Sequence, residues 1–349
     1  MRRQTRRQTR RQTRPPWQIF GVSLVLLLFL FALPLLWLAP KIGEGEEEIT
    51  RIERLPPGAM DSSATIRVKL GDTVTEMPMN TYLQGVVRAE MPASFAQEAL
   101  CAQAVAARTY TLYKITTGGN HPDADICGDH TCCQAYLSAD AAAKNWGKNA
   151  ENNEAKIDNA VAATDGETAL YDGAPILAVF HSSSAGKTRS SGEVWVSDLP
   201  YLRAVDSPEA GEAIPNYYSR AEFTADEFKT LFLKKHPEAD LTGDMTGWLQ
   251  APVEAGGIVD TVTVGGVTVR GTELRSILSL RSAAFETEVQ GKKLVFFVTG
   301  YGHGVGMSQY GANQMAADGA TWREIITHYY TGVTIRPYTT EVLPVKQGA

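Results

Sequence analysis

Two stretches at the start of the 349-residue sequence are defined by what they lack. Residues 1–14 contain no acidic side chain, and their seven arginines fall in three copies of RRQT. A polar repeat this short has nothing to bury, so we expect it to stay outside any folded core. The charge is distributed unevenly along the chain. The net charge of the whole chain is −6, and without the seven arginines the rest carries −6 − 7 = −13. The tail is interpreted as a topology signal, and an arm that binds nucleic acid is the less favoured alternative.

Residues 17–38 lack charge altogether, and as a helix these 22 residues would span about 30 Å, the thickness of a bilayer core. Trp17 and Trp37 lie near the two ends, where interfacial aromatic residues are common. A cleaved signal peptide is the alternative, but its apolar part would be only about 7–15 residues long. We therefore expect a cytoplasmic tail at 1–16, an uncleaved transmembrane anchor at 17–38, and a single-pass protein of the cell membrane whose remainder is extracytoplasmic.

The rest of the chain lacks regular β-α-β alternation and further repeats, which favours an α+β fold. Residues 39–62 are acidic and contain Pro-Pro-Gly, so they are interpreted as a linker. Residues 63–342 are expected to form one folded domain, followed by a short tail at 343–349. Hydrophobic periodicity predicts strands over 64–76, helices over 79–90 and 95–116, short strands and turns over 157–206, a helix over 222–236, a hairpin over 258–271 and a final helix over 321–330.

Glu90 is the most informative acidic residue, because it continues the apolar face of the first predicted helix. The apolar positions on that face are Tyr82, Leu83, Val86 and Val87. Pro92 disfavours helical geometry at Met91, so the helix should end at Glu90. Partial burial and the negative end of the helix dipole both raise a carboxyl pKa, as a general acid requires.

Arg108 faces inward on the second predicted helix, where Cys101, Val105 and Leu112 share its stripe. Several alanines on this helix allow close packing of its neighbours. A buried Glu90–Arg108 ion pair without a catalytic role is therefore as well supported by the spacing as a functional role for either residue.

The loop over 121–133 (HPDADICGDHTCC) combines three of the four cysteines with two of the six histidines. This density is typical of a zinc site, and the alternative is a disulfide bond, which an extracytoplasmic location permits. The four expected ligands are His121, Cys127, Cys132 and Cys133, with His130 as an alternate. The loop offers no obvious general base, so a structural site is favoured over a catalytic one.

Two further motifs lack the context that would give them a familiar role. The segment FHSSSAGKT over 180–188 has no G-x-S-x-G elbow, so a serine hydrolase is disfavoured and the side chains are interpreted as hydrogen-bond donors for a polar ligand. The glycine-rich run over 300–310 has no β-α-β context for a phosphate site. Its glycines instead allow close approach of the backbone and hold His303, Gln309 and Tyr310 in place.

Taken together, these motifs resemble those of the stage II sporulation protein D family. The resemblance extends over roughly residues 65–340 and rests on several long segments in the family's order. These segments are YLQGVVRAEMPASF and EALCAQAVAARTYTLY within 82–113, DICGDHTCCQAY at 125–136, FHSSSAGKT at 180–188, EVWVSDLPYLRAV at 193–205, GYGHGVGMSQYGANQMAADG at 300–319 and IITHYYTGV at 325–333.

The resemblance implies a peptidoglycan lytic transglycosylase that remodels the wall during engulfment of the forespore. Such an enzyme cuts between N-acetylmuramic acid and N-acetylglucosamine and leaves a 1,6-anhydro sugar end. The family's acidic residue falls on Glu90, its arginine on Arg108 with Tyr110 beside it, and its zinc-binding loop on the four residues named above. One departure concerns the loop, since the family often has His-Cys-Gln-Ala-Tyr where this chain has Cys132-Cys133-Gln134-Ala135-Tyr136.

With the resemblance, we expect an α+β domain of two lobes with a groove that accepts an extended glycan strand. Glu90 is expected to be the single acid and base, and zinc is expected to be structural. The expected groove residues are Arg108, Tyr110, His181, Ser182, Lys187, His303, Gln309 and Tyr310. Expected partners are peptidoglycan, the membrane and other engulfment proteins, including a wall amidase, and no nucleic acid. The alternative is a non-catalytic module that binds peptidoglycan and enhances a wall amidase.

Overall fold

The computed structural model of the chain describes residues 50–209, 211–250, 252–255 and 257–339. The predicted tail at 1–16, the predicted anchor at 17–38, the first part of the predicted linker and the final tail at 343–349 lie outside these residues. Within the described ranges, no helix combines the length and apolarity needed to cross a membrane.

The first half of the described chain is mainly helical. In order, its elements are α1 (Ala59–Ser63), β1 (Thr65–Leu70), β2 (Thr73–Pro78), α2 (Met79–Glu90), α3 (Gln97–Thr116), β3 (Ile126–Cys127), α4 (Ala139–Trp146), a 3-10 turn (Gly147–Asn149), α5 (Ala150–Ala163), β4 (Glu167–Tyr171), β5 (Ala174–Pro175), β6 (Phe180–His181) and α6 (Ser191–Val194).

The second half contains most of the longer strands. In order, its elements are a 3-10 turn (Gly211–Ala213), β7 (Tyr218–Thr224), α7 (Ala225–Leu233), a 3-10 turn (Met245–Gly247), β8 (Val253–Ala255), β9 (Ile258–Val264), β10 (Val267–Arg270), α8 (Gly271–Leu278), β11 (Phe285–Gln290), β12 (Lys293–Thr299), β13 (Met307–Ser308), α9 (Gln309–Ala317), α10 (Trp322–Tyr329) and β14 (Thr334–Pro337).

The strands form small sheets, which confirms the α+β class predicted from the sequence. The described sheets have the strand orders β2-β1-β3, β10-β9-β8, β11-β12-β7, β13-β6 and β14-β4-β5. Most neighbouring strands are antiparallel, and the pairs β1–β3 and β6–β13 are parallel. The β6–β13 pair joins segments that are far apart in sequence, and it carries several side chains of the site described below.

Helix α3 is the centre of the first hydrophobic core. Every residue from Ala99 to Leu112 is buried, because α2, α5, α9, α10 and β4 surround the helix. Its many alanines leave room for these neighbours to approach from all sides, as the sequence predicted. Among the residues that fill this core are Tyr82 and Val86 from α2 and Tyr329 from α10.

A second hydrophobic core is built from residues between β7 and β12. Phe228 and Phe232 of α7 stack with ring centroids 5.8 Å apart, and Phe296 of β12 packs edge-on against Phe285 of β11. The hairpin β9–β10 turns at Gly265-Gly266, as the sequence predicted.

Several predicted boundaries hold and two do not. Helix α2 ends at Glu90, and Met91 is extended with φ −122° and ψ 141°, as the following proline requires. The helix predicted over 222–236 begins only at Ala225, because Tyr218–Thr224 is the edge strand β7, whose Thr224 caps α7 through a capping box with Glu227. The strands and turns predicted over 157–206 begin later as well, since α5 continues to Ala163.

From Ile52 onward, the predicted linker is attached to helix α5 and to Asp165, two residues beyond the end of that helix. The backbone N–H groups of Ile52 and Leu55 donate to the side chains of Asn152 and Asn159. The carboxylate of Asp165 accepts from the N–H groups of Met60 and Asp61 at the start of α1. These bonds fix the segment to the domain.

Candidate active site

Glu90 is the last residue of α2, so its side chain lies where the helix leaves the core. Its Oε1 atom accepts a hydrogen bond of 2.9 Å from the backbone N–H of Ala135. Burial raises the pKa of this carboxyl above its usual value, and the hydrogen bonds from Ala135 and from the Gln309 side chain act in the opposite direction. The predicted rise in pKa is therefore supported by the geometry.

The carboxylate borders a cavity of about 550 Å³. The other residues that line it are Tyr110, His130, Cys132, Cys133, Gln134, Val179, Phe180, His181, Ser182, Tyr301, Gly302, His303 and Gln309. Among these described lining residues, Glu90 is the one carboxylate. The cavity thus offers a single acidic group and several neutral hydrogen-bonding groups, and we call it the Glu90 pocket.

The wall of the Glu90 pocket that carries His181 depends on the parallel pairing of β6 with β13. His181 is in register with Ser308, so His181 and Ser182 lie beside Gln309. The backbone of the glycine-rich run passes very close to β6, and a Cβ atom on Gly306 would lie 2.1 Å from the carbonyl oxygen of Val179. The glycines here serve close approach, as the sequence predicted.

The backbone of Val305 fixes the protonation of two histidines in this wall. Its N–H donates to Nδ1 of His303 at 3.1 Å, so that nitrogen carries no proton. Its carbonyl oxygen lies 3.2 Å from Nδ1 of His181, and since a carbonyl only accepts, this nitrogen must carry the proton. Burial is the main cause that lowers the pKa of His181 to about 3 and that of His303 to about 4, so both rings are neutral near pH 7.

Glu209 joins the two segments that form this wall, and no sequence motif singles it out. Its Oε1 accepts from the hydroxyl groups of Ser184, Ser207 and Ser308 at 2.7, 3.0 and 2.6 Å. It also accepts from the backbone N–H of Ser184 at 2.9 Å. Since Ser308 caps helix α9, whose first residue is Gln309, this carboxylate links α9 to the segment after β6.

Three predicted groove residues lie elsewhere. Arg108 is fully buried and pairs with Asp61 at 2.6 Å, so it neither lines the Glu90 pocket nor forms the pair with Glu90 that the spacing allowed. Lys187 is half-exposed and lies 3.9 Å from Asp206. The ring of Tyr310 packs edge-on against Phe95 rather than lining the cavity.

The structure brings together the four residues predicted to bind a metal. One ligand atom from each of His121, Cys127, Cys132 and Cys133 lies within 4.8 Å of the others. The four cysteines of the chain are free thiols, and His130 lies outside the cluster with an exposed ring. Three thiols and one imidazole are a donor set that suits tetrahedral Zn²⁺.

This cluster is directly connected to Glu90. Cys133 is followed by Gln134, which lines the Glu90 pocket, and then by Ala135, whose N–H holds the Glu90 carboxylate. The N–H groups of Cys132 and Cys133 both donate to the carbonyl oxygen of Asp129, which forms the tight turn of the loop. The position of the loop therefore determines one of the hydrogen bonds that Glu90 receives.

Comparison with known proteins agrees with this arrangement of motifs. The sequence profile of the family described as Stage II sporulation protein matches residues 69–171, which include Glu90 and the whole Cys/His cluster. Stage II sporulation protein D of Bacillus subtilis (strain 168) is 38% identical over 265 residues, which cover 75% of this chain and 76% of that protein.

Two further relatives extend the comparison. Stage II sporulation protein D of Bacillus amyloliquefaciens is also 38% identical, over 75% of both chains. A protein named amidase enhancer from Bacillus subtilis is 30% identical over 73% of this chain but only 40% of its own length. The extent of the match to the first two relatives shows that this chain belongs to the stage II sporulation protein D family.

Proposed function

We propose that the protein is a lytic transglycosylase that cleaves peptidoglycan glycan strands between N-acetylmuramic acid and N-acetylglucosamine. The observation that carries the proposal is the single carboxylate of the Glu90 pocket, whose pKa is raised by burial. Glycoside hydrolases, which use water, typically need two carboxylates, one as acid and one as base or nucleophile. A reaction that uses a hydroxyl group of the substrate itself as nucleophile needs only one.

The protonated Glu90 carboxyl donates its proton to the glycosidic oxygen, and the bond from that oxygen to the anomeric carbon breaks. The 6-hydroxyl oxygen of the same muramic acid residue then bonds to the anomeric carbon. The Glu90 carboxylate accepts the proton that this hydroxyl loses, so the acid is regenerated. The products are a free 4-hydroxyl on one fragment and a 1,6-anhydro end on the other.

The neutral groups of the Glu90 pocket suit a sugar ligand. His181 and His303 are uncharged at neutral pH, and Gln134, Ser182 and Gln309 supply amide and hydroxyl groups. Such groups exchange hydrogen bonds with the hydroxyl and acetamido groups of the sugars. Of the groove residues predicted from the sequence, the proposal therefore keeps the five that line the Glu90 pocket, which are Tyr110, His181, Ser182, His303 and Gln309.

We further propose that His121, Cys127, Cys132 and Cys133 hold a structural Zn²⁺ ion. Four protein ligands complete a tetrahedral shell, so the ion would supply no open position for a substrate. Its contribution would be to fix the loop that carries Gln134 and Ala135 beside Glu90. Catalytic chemistry is left to the side chains of the Glu90 pocket.

The sequence patterns at the amino terminus support an anchor in the cell membrane with the domain on its extracytoplasmic side, where peptidoglycan lies. Membership of a sporulation family supports a role in wall remodelling during engulfment, with other wall enzymes such as an amidase as partners. The acidic charge of the chain beyond its first residues disfavours nucleic acid as a ligand.

The decisive experiment compares the full-length protein, purified in detergent, with Glu90→Gln and Glu76→Gln variants on isolated glycan strands. Glu76 is an exposed carboxyl on β2 and serves as the matched control. Mass spectrometry should detect 1,6-anhydro ends with the wild type and with Glu76→Gln. Because the amide cannot transfer a proton, Glu90→Gln should be slower by about 100-fold or more. Full activity of a folded Glu90→Gln variant would refute the assignment.

A second candidate function is enhancement of a wall amidase without catalysis. The observation in its favour is the similarity to the protein named amidase enhancer. The same preparations distinguish the two functions. Absence of anhydro ends with the wild type, together with faster release of peptides by an added amidase, would favour the enhancer.

A further inference from the structure

A second cavity, of about 530 Å³, lies over the sheet β11-β12-β7. Phe297 of β12 is in register with Glu286 of β11, and Thr299 of β12 is in register with Tyr218 of β7. Residues paired across antiparallel strands point to the same face, so these four side chains share the face away from the second core. They line the cavity together with Glu254, and we call this surface the outer cleft.

The outer cleft exposes large aromatic rings. Tyr218 is 64% exposed and Phe297 is 39% exposed, although both lie on a regular sheet with a complete core beneath it. The Tyr218 ring packs edge-to-face with the buried ring of Tyr217, with ring centroids 4.9 Å apart. Aromatic rings that are fixed in a concave surface, with carboxylates beside them, favour a ligand with both apolar and hydroxyl-bearing faces.

The outer cleft and the Glu90 pocket are lined by the same short segment. Thr299 lines the outer cleft, and Tyr301, 46% exposed, lines the Glu90 pocket. Consecutive Cα atoms are about 3.8 Å apart, so the Cα atoms of these two residues lie at most about 7 Å apart. Backbone hydrogen bonds hold the segment, from Gly300 N–H to the carbonyl oxygen of Tyr217 at 2.8 Å and between Tyr301 and Ser183 at 2.8 and 3.1 Å.

A glycan strand is a polymer, and the part of it that leaves the Glu90 pocket must pass over the neighbouring surface. On the side of Tyr301, that surface is the outer cleft. Sugar rings have C–H faces that can lie on Tyr218 and Phe297, and hydroxyl groups that can donate to Glu254 and Glu286. From this continuity we infer that the outer cleft binds the same glycan strand several sugars away from the bond at Glu90, an inference that rests on the proposed function.

The length of the substrate provides the test. Full-length wild type, Tyr218→Ala and Phe297→Ala are assayed on long glycan strands and on a tetrasaccharide of the same repeat. Each ring contributes only when the strand reaches it, so each variant should raise KM for long strands roughly fivefold. Their kcat on long strands, and both constants on the tetrasaccharide, should match the wild type. The control is Leu231→Ala, since Leu231 is a 38% exposed side chain of α7 that does not line the outer cleft.

Glycan binding by the single variant Glu90→Gln and by the double variant Glu90→Gln/Tyr218→Ala separates the outer-cleft proposal from the transglycosylase proposal. If the double variant binds long strands more weakly than Glu90→Gln does, and binds the tetrasaccharide equally well, the outer cleft is supported. This conclusion does not depend on whether the wild type cleaves glycan. Equal affinities at both lengths, or equal losses at both lengths, overturn it. If the wild type produces no anhydro ends but the length-dependent binding is observed, the transglycosylase proposal is refuted and the outer-cleft proposal stands.

Discussion

Glu90 carries opposing contributions to its ionisation. Burial favours the neutral carboxyl, while the N–H of Ala135 and the side chain of Gln309 favour the carboxylate. Burial is the larger contribution, so the group binds its proton more tightly in the folded protein than in the unfolded chain. Glu90 therefore suits acid catalysis, and its ionisation lowers the stability of the folded protein.

Glu90→Gln is expected to stabilise the fold at neutral pH. Between the unfolded and the raised folded pKa the native state binds more protons, so the wild type loses stability as pH rises through this window. The amide cannot ionise, and its oxygen can still accept from Ala135. The difference in unfolding free energy, measured by urea titration, should be small below the unfolded pKa, grow as pH rises, and become constant above the folded pKa.

Glu76→Gln, which changes an exposed carboxyl on β2, is again the matched control and should not reproduce this increase. A Glu90→Gln variant that is less stable than the wild type at neutral pH would contradict the prediction. It would indicate that the hydrogen bonds to the carboxylate outweigh its burial.

The histidines of the Glu90 pocket show what sequence motifs leave open at the residue scale. The glycine-rich run indicated that His303 is held by backbone, but it gave no information on which ring nitrogen carries a proton. That depends on Val305, which donates to His303 and accepts from His181. Such pairings arise from strands β6 and β13, whose contact over more than 100 residues of sequence no local pattern specifies.

At the scale of elements, the Cys/His loop is the best-predicted part of the site. Its spacing gave the four clustered residues correctly and left His130 as an alternate, which the structure places outside the cluster. Local spacing sufficed because three of the four clustered residues are within seven residues of one another. Glu209 was missed because its serine partners come from three separate segments, which only the folded chain brings together.

Removal of the metal is expected to affect Glu90 through the loop. The purified protein should contain about one zinc per chain. A strong chelator should remove it, lower the unfolding midpoint and reduce anhydro product, because Ala135 then no longer holds the carboxylate in place. Metal content by elemental analysis, the unfolding midpoint and activity are the three measurements.

Three alanine variants serve this test. Cys132→Ala removes a clustered thiol and should lose zinc, whereas Cys101→Ala changes a buried thiol in α3 outside the cluster and should retain it. His130→Ala should also retain zinc because its exposed ring is not in the cluster. A metal-free protein with a disulfide at Cys127 would contradict the zinc assignment and restore the alternative.

Across the described part of the molecule, the fold class and the helices α2, α3, α7 and α10 follow from periodicity, while α4, α5, α8, α9 and the long-range polar contacts do not. The last three residues of β7, 222–224, were included in the predicted helix because Phe223 was counted with Phe228 and Phe232 among its apolar positions, and only the pairing of β7 with β12 shows that they belong to a strand. Arg108 was correctly placed on an inward face, but its partner Asp61 lies in the segment that the sequence suggested was linker.

The Asp61–Arg108 pair joins distant parts of the domain. Arg108 of α3 also donates to the carbonyl oxygen of Glu167, and the hydroxyl of Tyr338, near the end of the described chain, donates to Asp61. Both side chains of the ion pair are almost fully buried, with 0% and 1% exposure. A buried guanidinium without its carboxylate is costly, so the pair should matter to the stability of the entire domain.

Asp61→Asn should therefore lower the unfolding free energy by about 3–5 kcal/mol, because it leaves the guanidinium buried and uncompensated. Asp198→Asn, which breaks an exposed pair with Arg203, should cost about 1 kcal/mol or less. Replacing both partners, as Asp61→Leu with Arg108→Met, should recover much of the loss, since two apolar side chains need no compensation. Chemical denaturation of the four proteins measures these differences. If Asp61→Asn costs no more than Asp198→Asn, the other contacts of segment 52–62, among them its bonds to α5 and Asp165, suffice to hold it, and the buried pair does not tie the domain together.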